Sequence, residues 1–245
     1  ELGGADALRR AIAEIRAMGG RVALYTNGVL IDAQSDFFAQ EGLRCCRKNL
    51  DGGAYRDFYG FSGDGLLMRV FRYKQFVTAC QSTAAWRERL RRNARIKLGF
   101  DPDSIFFDQL SGHMPDLCFD ASHPHGNRAD RESRYLIENL RMLRGLCRNG
   151  KALGSEGIAD AYAPYLDYHH GNQHGSGLGA TAFPALFRRT FPEPIVTNRF
   201  THDSGDGFER QSFVVGSSAN QGRFSTDLMN RSLPVRLELT GNVED

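Results

Sequence analysis

Asp108 closes a run of three large apolar residues in the stretch Ile105-Phe106-Phe107-Asp108-Gln109-Leu110-Ser111-Gly112-His113. A carboxylate at the end of a buried apolar run sits where a strand hands the chain to a loop. It can accept backbone N–H groups there as ordinary turn chemistry, or it can face a cavity as a catalytic group. A second carboxylate is delivered in the same way by Lys151-Ala152-Leu153-Gly154-Ser155-Glu156-Gly157. Glycoside hydrolysis needs such a pair. One carboxylate attacks the anomeric carbon or activates water, and the other protonates the leaving oxygen. The plainer alternative is that Asp108 caps a loop and Glu156 pairs with an arginine.

The histidines His113, His123, His125, His169, His170 and His174 form a second constellation. With Asp108, Asp116 and Asp120 they offer imidazole and carboxylate ligands of the kind a metal-dependent hydrolase uses. The His123-Pro124-His125 pair, however, lies in the loop-like Phe119-Asp120-Ala121-Ser122-His123-Pro124-His125-Gly126-Asn127 rather than after a buried strand. Hydrogen bonding to a polar substrate or to the backbone is the alternative, and no metal or other cofactor is assigned. Tyr25, Tyr55, Phe58, Tyr59, Phe61, Tyr162, Tyr165 and Tyr168 could stack on the apolar faces of sugar rings or fill the core. Cys80 lacks an identifiable base partner, and a buried thiol is its expected state. The other cysteines are Cys45, Cys46, Cys118 and Cys147. The odd total of 5 and the absence of a C-x-x-C pair predict mostly free thiols.

These residues must be held by regular elements. Residues 5–18 place Leu8, Ile12 and Ile15 at helical spacing, Gly19-Gly20 ends the run, and Val22–Tyr25 has strand character. Residues 82–98 read as a second helix with Ser82 as N-cap and Trp86, Leu90 and Leu98 on one face. A strand at 104–107 then delivers Asp108. Residues 131–149 carry Leu136, Leu140, Leu143 and Leu146 and form the clearest helix, stopped at Gly150. A short strand follows, ending in Glu156. Further strand candidates lie at 66–71 and in Thr181–Phe187, Glu193–Asn198, Ser212–Ser217 and Pro234–Thr240. Segments 42–65 and 109–130 read as long loops. The repeated order of helix, glycine stop, apolar strand and polar loop predicts an α/β chain with parallel strands, either a (β/α)8 barrel or an open doubly wound sheet. In a barrel the strand ends carrying Asn27, Asp108 and Glu156 form the active face.

Composition bounds the possibilities. With 245 residues the chain can bury a sizeable core. An apolar share of 41%, a charged share of 24% and a net charge of +2 describe a soluble globular protein with no field that favours nucleic acid or membrane insertion. Neither a dinucleotide fingerprint nor a P-loop occurs, so nucleotide binding has no support.

Four segments in this order, Gly19–Gly28, Phe76–Leu90, Ile105–Gly126 and Ala152–Asp167, resemble a family of bacterial glycoside hydrolases with a (β/α)8 barrel, distantly similar to the endo-α-N-acetylgalactosaminidases. The resemblance implies a TIM-type barrel over residues 1–200, with the first strand or strands lying outside this chain. Residues 201–245 would supply the last barrel strands or begin a β-rich appendage. It implies Asp108 as nucleophile and Glu156 as general acid/base. Tyr25, Asn27, Gln109, His113, Asp120, His123 and His125 would line the sugar site. The expected activity is that of a retaining glycosidase on an oligosaccharide or glycoconjugate, without a cofactor. A metal-dependent hydrolase and a non-catalytic carbohydrate-binding barrel are the rival expectations.

Overall fold

The computed structural model describes residues 3–55, 75–111, 117–157, 159–171, 190–198, 225–226 and 237–238. Helix α1 spans Gly4–Ala17 and strand β1 spans Ala23–Asn27. Of the apolar stripe predicted on α1, Ile12 is buried while Leu8 and Ile15 remain exposed. The chain turns at Gly28 into β2, Leu30–Asp32, which leaves the first strand's sheet. A π-helical turn at Phe38–Gly42 runs into the short α2, Leu43–Cys45. Strand β3, Phe76–Thr78, pairs antiparallel with β2. Helix α3, Ala84–Leu98, leads to β4, Ser104–Asp108. Helix α4, Glu132–Leu146, leads to β5, Ala152–Glu156. A 3-10 turn at Asp160–Tyr165 connects to β6, Tyr168–Gly171, and β7 follows at Ile195–Asn198.

Strands β1, β4, β5, β6 and β7 form one sheet in that order, and every pairing in it is parallel. This is the predicted α/β class with helical crossovers. Two further strands, β8 at Ser225–Thr226 and β9 at Leu237–Glu238, pair antiparallel in a separate sheet. The strand expected at 66–71 and those in 181–187 and 212–217 lie outside the described residues, as does His113.

Side chains alternate across the sheet with period 2. Ile105, Phe107 and Leu153 belong to the core shared with α3 and α4, where Trp86, Leu90 and Ala94 meet Leu136, Leu140 and Leu143. Both helices put large apolar residues three or four apart, so one stripe of each faces the sheet. Burying each of these leucines contributes about 1.5–3 kcal/mol. The opposite face carries the residues at the alternate positions. Its middle row runs Tyr25, Phe106, Gly154, Tyr168 in register. Phe106 and Tyr168 stack at 6.0 Å between centroids. Gly154 permits this, because a Cβ there would lie 2.1 Å from the Tyr168 ring.

Two local expectations are corrected. Thr83, not Ser82, is the N-cap of α3, in extended conformation and without a side-chain cap bond. The Thr83 hydroxyl donates to the Cys80 carbonyl, and Ser82 Oγ lies 3.1 Å from Cys80 Sγ. Helix α4 ends at Leu146 rather than at Gly150, since Cys147 leaves the helical region at ψ 75°.

Candidate active site and a buried thiol–imidazole cluster

The C-terminal ends of the parallel strands line up chemistry. Asn27 of β1 is the register partner of Asp108 of β4. Phe107 pairs with Ser155, and the same register carried one residue on sets Asp108 beside Glu156 of β5. Glu156 is in turn paired with His170 of β6. Register-matched positions of parallel strands share a face, so Asn27, Asp108, Glu156 and position 170 form one row. Sequence reasoning noted His170 but gave it no place. The β5–β6 register, which no sequence pattern carries, puts it in this row.

Both strand-end carboxylates are buried and both are followed at once by a left-handed residue. Gln109 has φ 61° and Gly157 has φ 88°. Gly157 adopts this freely. Gln109 pays a steric penalty of order 1 kcal/mol, the kind of strain that concentrates at functional sites. The turns are tied together. The Ser111 hydroxyl donates to the Glu156 carbonyl at 2.8 Å, the Ser111 N–H donates to Ser155 Oγ at 3.1 Å, and Ser155 Oγ donates to the Phe107 carbonyl at 2.7 Å. The loop after Asp108 is therefore stitched to the strand that carries Glu156.

The Tyr25 hydroxyl donates to Asp108 Oδ2 at 2.6 Å, which fixes the orientation of the carboxylate. Asn27 Nδ2 donates to Gln109 Oε1 at 3.2 Å, while Asn27 Oδ1 accepts the N–H groups of Val29 and Leu30. Gly28 N–H donates to the Asp108 carbonyl at 2.9 Å. A Cβ on Gly28 would meet Leu110 Cβ at 2.6 Å, so glycine is what lets the β1 turn close on the β4 turn. Beneath the Glu156 turn, His169 Nδ1–H donates to the Gly157 carbonyl at 2.9 Å. Burial pushes this imidazole down to about 4, against the opposing pull of that carbonyl.

A cavity of about 490 Å³ opens beside this row. Tyr25, Asn27, Asp108 and Gln109 line it, and Asp32, Phe37, Trp86, Arg89 and Asn93 are among its other wall residues. Glu156 stands in the neighbouring strand and is not a wall residue. Arg89 lies over the Phe37 ring at 4.9 Å, a fixed cation at the cavity edge. Trp86, Arg89 and Asn93 follow one another at helical spacing on α3. That spacing is visible in the sequence, but only Trp86 is singled out there, as part of the apolar face with Leu90 and Leu98.

Asp120, His123 and His125 do not line this cavity. Asp120 caps its own turn, accepting from Ser122 N–H at 3.0 Å and Ser122 Oγ at 2.6 Å, and these contacts hold its carboxyl below the usual range. His123 and His125 are buried beside Cys80 and Cys118. The His123 and His125 rings meet edge to face at 5.6 Å. All five cysteines are free and buried, where the sequence predicts mostly free thiols and burial of Cys80. A hydrogen bond between the two sulfurs and burial push the Cys80 thiol up, and the same bond, aided by His123, holds Cys118 down. Burial is the largest single influence on His123 and lowers it, but the hydrogen bond and charge of Cys118, with Asp120 and the Arg44 carbonyl, together raise it.

A family model described as a domain of unknown function (DUF6259) matches residues 2–187. No curated protein matches the chain. Solved structures share its fold. An α-galactosidase from Thermus thermophilus in complex with stachyose is 19% identical with a TM-score of 0.55, over 86% of this chain and 48% of its own. An α-N-acetylgalactosaminidase from Bifidobacterium bifidum in complex with GalNAc is 16% identical with a TM-score of 0.63, over 89% of this chain and 33% of its own. Ega3 of Aspergillus fumigatus in complex with galactosamine is 11% identical with a TM-score of 0.54, over 94% of this chain and 83% of its own. The chain thus spans half or less of the first two.

Proposed function

The chain belongs to the family of the domain of unknown function DUF6259, and from that starting point we propose that it is the catalytic part of a retaining glycoside hydrolase acting on an α-linked galactose or N-acetylgalactosamine unit. The observation that carries this reading is the placement of Asp108 and Glu156 on neighbouring parallel strand ends, facing the same way, each followed by a left-handed residue. Strands in a sheet lie about 4.8 Å apart. In-register carboxylates on adjacent strands therefore fall near the separation of about 5–5.5 Å that a retaining pair uses. The five parallel strands would be part of an eight-stranded barrel whose C-terminal face is the active face. The substrate class rests on the stachyose, GalNAc and galactosamine complexes of the structures that share the fold.

In this reading an Asp108 carboxylate oxygen attacks the anomeric carbon while the Glu156 carboxyl gives its proton to the departing glycosidic oxygen. The resulting glycosyl ester on Asp108 is then hydrolysed by a water that Glu156 deprotonates, and the sugar leaves with its configuration retained. Tyr25 holds the attacking carboxylate in position through its 2.6 Å hydrogen bond. Asn27, Gln109, Arg89 and Asn93 supply polar contacts from the cavity wall. The test is hydrolysis of aryl α-galactosides and α-N-acetylgalactosaminides by the wild-type chain and by Glu156→Gln. With an activated aryl leaving group, Glu156→Gln should form the glycosyl ester and stall, and added azide should restore turnover with a glycosyl azide of retained configuration. An azide product of inverted configuration, or full activity in Glu156→Gln, would overturn the assignment. Sugar binding without turnover in the wild type would make the chain a carbohydrate-binding module instead.

A further inference from the structure

Cys80, Cys118, His123 and His125 come from two distant stretches of chain, yet their ligand-capable atoms all lie within 4.8 Å of one another and all four residues are buried. We propose that these four residues form a structural zinc site that pins the 117–126 loop to the junction between β3 and α3. The inference stands apart from the glycosidase reading, since none of the four lines the cavity at Asp108.

The donor set is the first support. Two thiolates and two imidazoles around one point make the tetrahedral S2N2 environment that zinc favours. The orientation of each imidazole is the second. His123 Nε2 lies 2.9 Å from the Arg44 carbonyl, to which it donates, so that in the neutral imidazole Nδ1 carries the lone pair, and Nδ1 faces Cys118 Sγ at 3.4 Å. His125 Nδ1–H donates to the Gly126 carbonyl at 2.8 Å, which leaves Nε2 as its lone-pair nitrogen. That Nε2 is buried in a side chain only 3% exposed and has no hydrogen-bond partner among the described residues. A buried acceptor left unmade is costly, and a cation at the centre of the cluster would satisfy it. Metal-bound histidines characteristically give their other N–H to a carbonyl or carboxylate. Both do so here, and Asp120 Oδ2 stands 3.6 Å from His123 Nε2 as a second such group.

Distances agree with this. Bonds of about 2.3 Å to sulfur and about 2.0–2.1 Å to nitrogen give a tetrahedral S–N edge of about 3.6 Å. The Cys118–His123 edge of 3.4 Å already has that length. The widest separation of 4.8 Å closes with side-chain shifts of about 1 Å. The sulfurs have donors of their own, Ser82 Oγ at 3.1 Å from Cys80, and the backbone N–H groups of Asp120 and Lys48 near Cys118. On binding, two protons would leave to solvent, one from Cys80 and one from the Cys118–His123 pair, and the two thiolates would neutralise the dication. Four protein ligands leave no open position, so the ion would serve structure rather than activate water.

The decisive experiment is elemental analysis of the full chain purified without metal-affinity steps or chelators, followed by cobalt(II) substitution. The expected result is about one zinc per chain, with cobalt giving tetrahedral ligand-field bands and thiolate-to-metal charge transfer. Cys118→Ser and His125→Ala should lose the metal, while Cys147→Ser, a buried thiol outside the cluster, should keep it. Stripping the metal should lower Tm by about 10 °C and expose the 117–126 loop to protease. A folded wild-type chain with intact thiols that holds no zinc and gives no cobalt spectrum would overturn the proposal. So would a Cys80–Cys118 disulfide in the protein as isolated. Should the ligand variants fail to fold, the wild-type zinc content and cobalt spectrum decide alone. None of these readouts depends on glycosidase activity, so the two proposals fail separately.

Discussion

The strand-end row and the Cys–His cluster are both buried polar assemblies, but they treat their polar atoms in opposite ways. In the row, Asp108 is held by Tyr25 beside a cavity of about 490 Å³, and the surrounding turns are tied by bonds among Ser111, Ser155 and Glu156. In the cluster the outward nitrogens are satisfied by carbonyls, and the inward atoms converge on one another. Their histidines also move oppositely. Burial drives His169 beneath the row down to about 4, whereas His123 in the cluster is raised by its sulfur neighbour. A polar group beside open space is arranged to meet a substrate, and polar groups closed on each other are arranged to meet a point charge.

The comparison breaks most sharply through Asp108→Asn, which should lower turnover at least about 10⁴-fold while leaving Tm within a few degrees and sugar binding intact, as read by steady-state kinetics, calorimetry and binding isotherms. Cys118→Ser should give the reverse pattern, and a variant that lost both properties together would erase the division between the two regions. Next in size is the acid sensitivity of His169. The unfolded chain takes a proton there below about pH 6.5 and the folded chain only near pH 4. Stability from this group is therefore fully present above about pH 6.5 and is lost as pH falls toward 4, by about 3 kcal/mol in all. Urea midpoints at stepped pH should show this slope, and His169→Gln should flatten it. Tyr25→Phe removes the hydrogen bond to the Asp108 carboxylate, a charge-assisted contact worth about 1.5–3 kcal/mol. That corresponds to a roughly 10- to 100-fold fall in kcat with little change in Tm. A drop in stability without a drop in kcat would make the tyrosine a packing residue. The smallest effect is expected from Gly154→Ala, whose methyl would collide with the Tyr168 ring. An overpacking cost of about 1–3 kcal/mol should appear in Tm, with kcat per folded molecule nearly unchanged.

Much of this was legible along the chain because it is local. The 3.6-residue spacing of Leu136, Leu140 and Leu143 and the apolar run Ile105–Phe107 specify a helix and a buried strand whatever surrounds them. Helix α1 marks the limit of that reading. Its spacing is amphipathic, yet only Ile12 is buried among its large apolar residues, because burial depends on what lies opposite. Ser82 failed as a cap for a related reason. Its hydroxyl lies against the Cys80 sulfur, a contact set by tertiary packing.

By itself the sequence determined the alternation of helices and strands, the identity of the residues at each strand end and the free state of the thiols, since each follows from residue type and short-range spacing. Only the tertiary structure decided which of those residues meet. Parallel pairing joins positions dozens of residues apart through crossover helices, so the juxtaposition of Asp108 with Glu156 and of both with position 170 exists in the sheet register alone. The gathering of Cys80 with Cys118, His123 and His125 is of the same kind. Nothing in their irregular spacing announces a shared centre, and only the packing of one loop against the end of another strand brings their atoms within bonding range of a single ion.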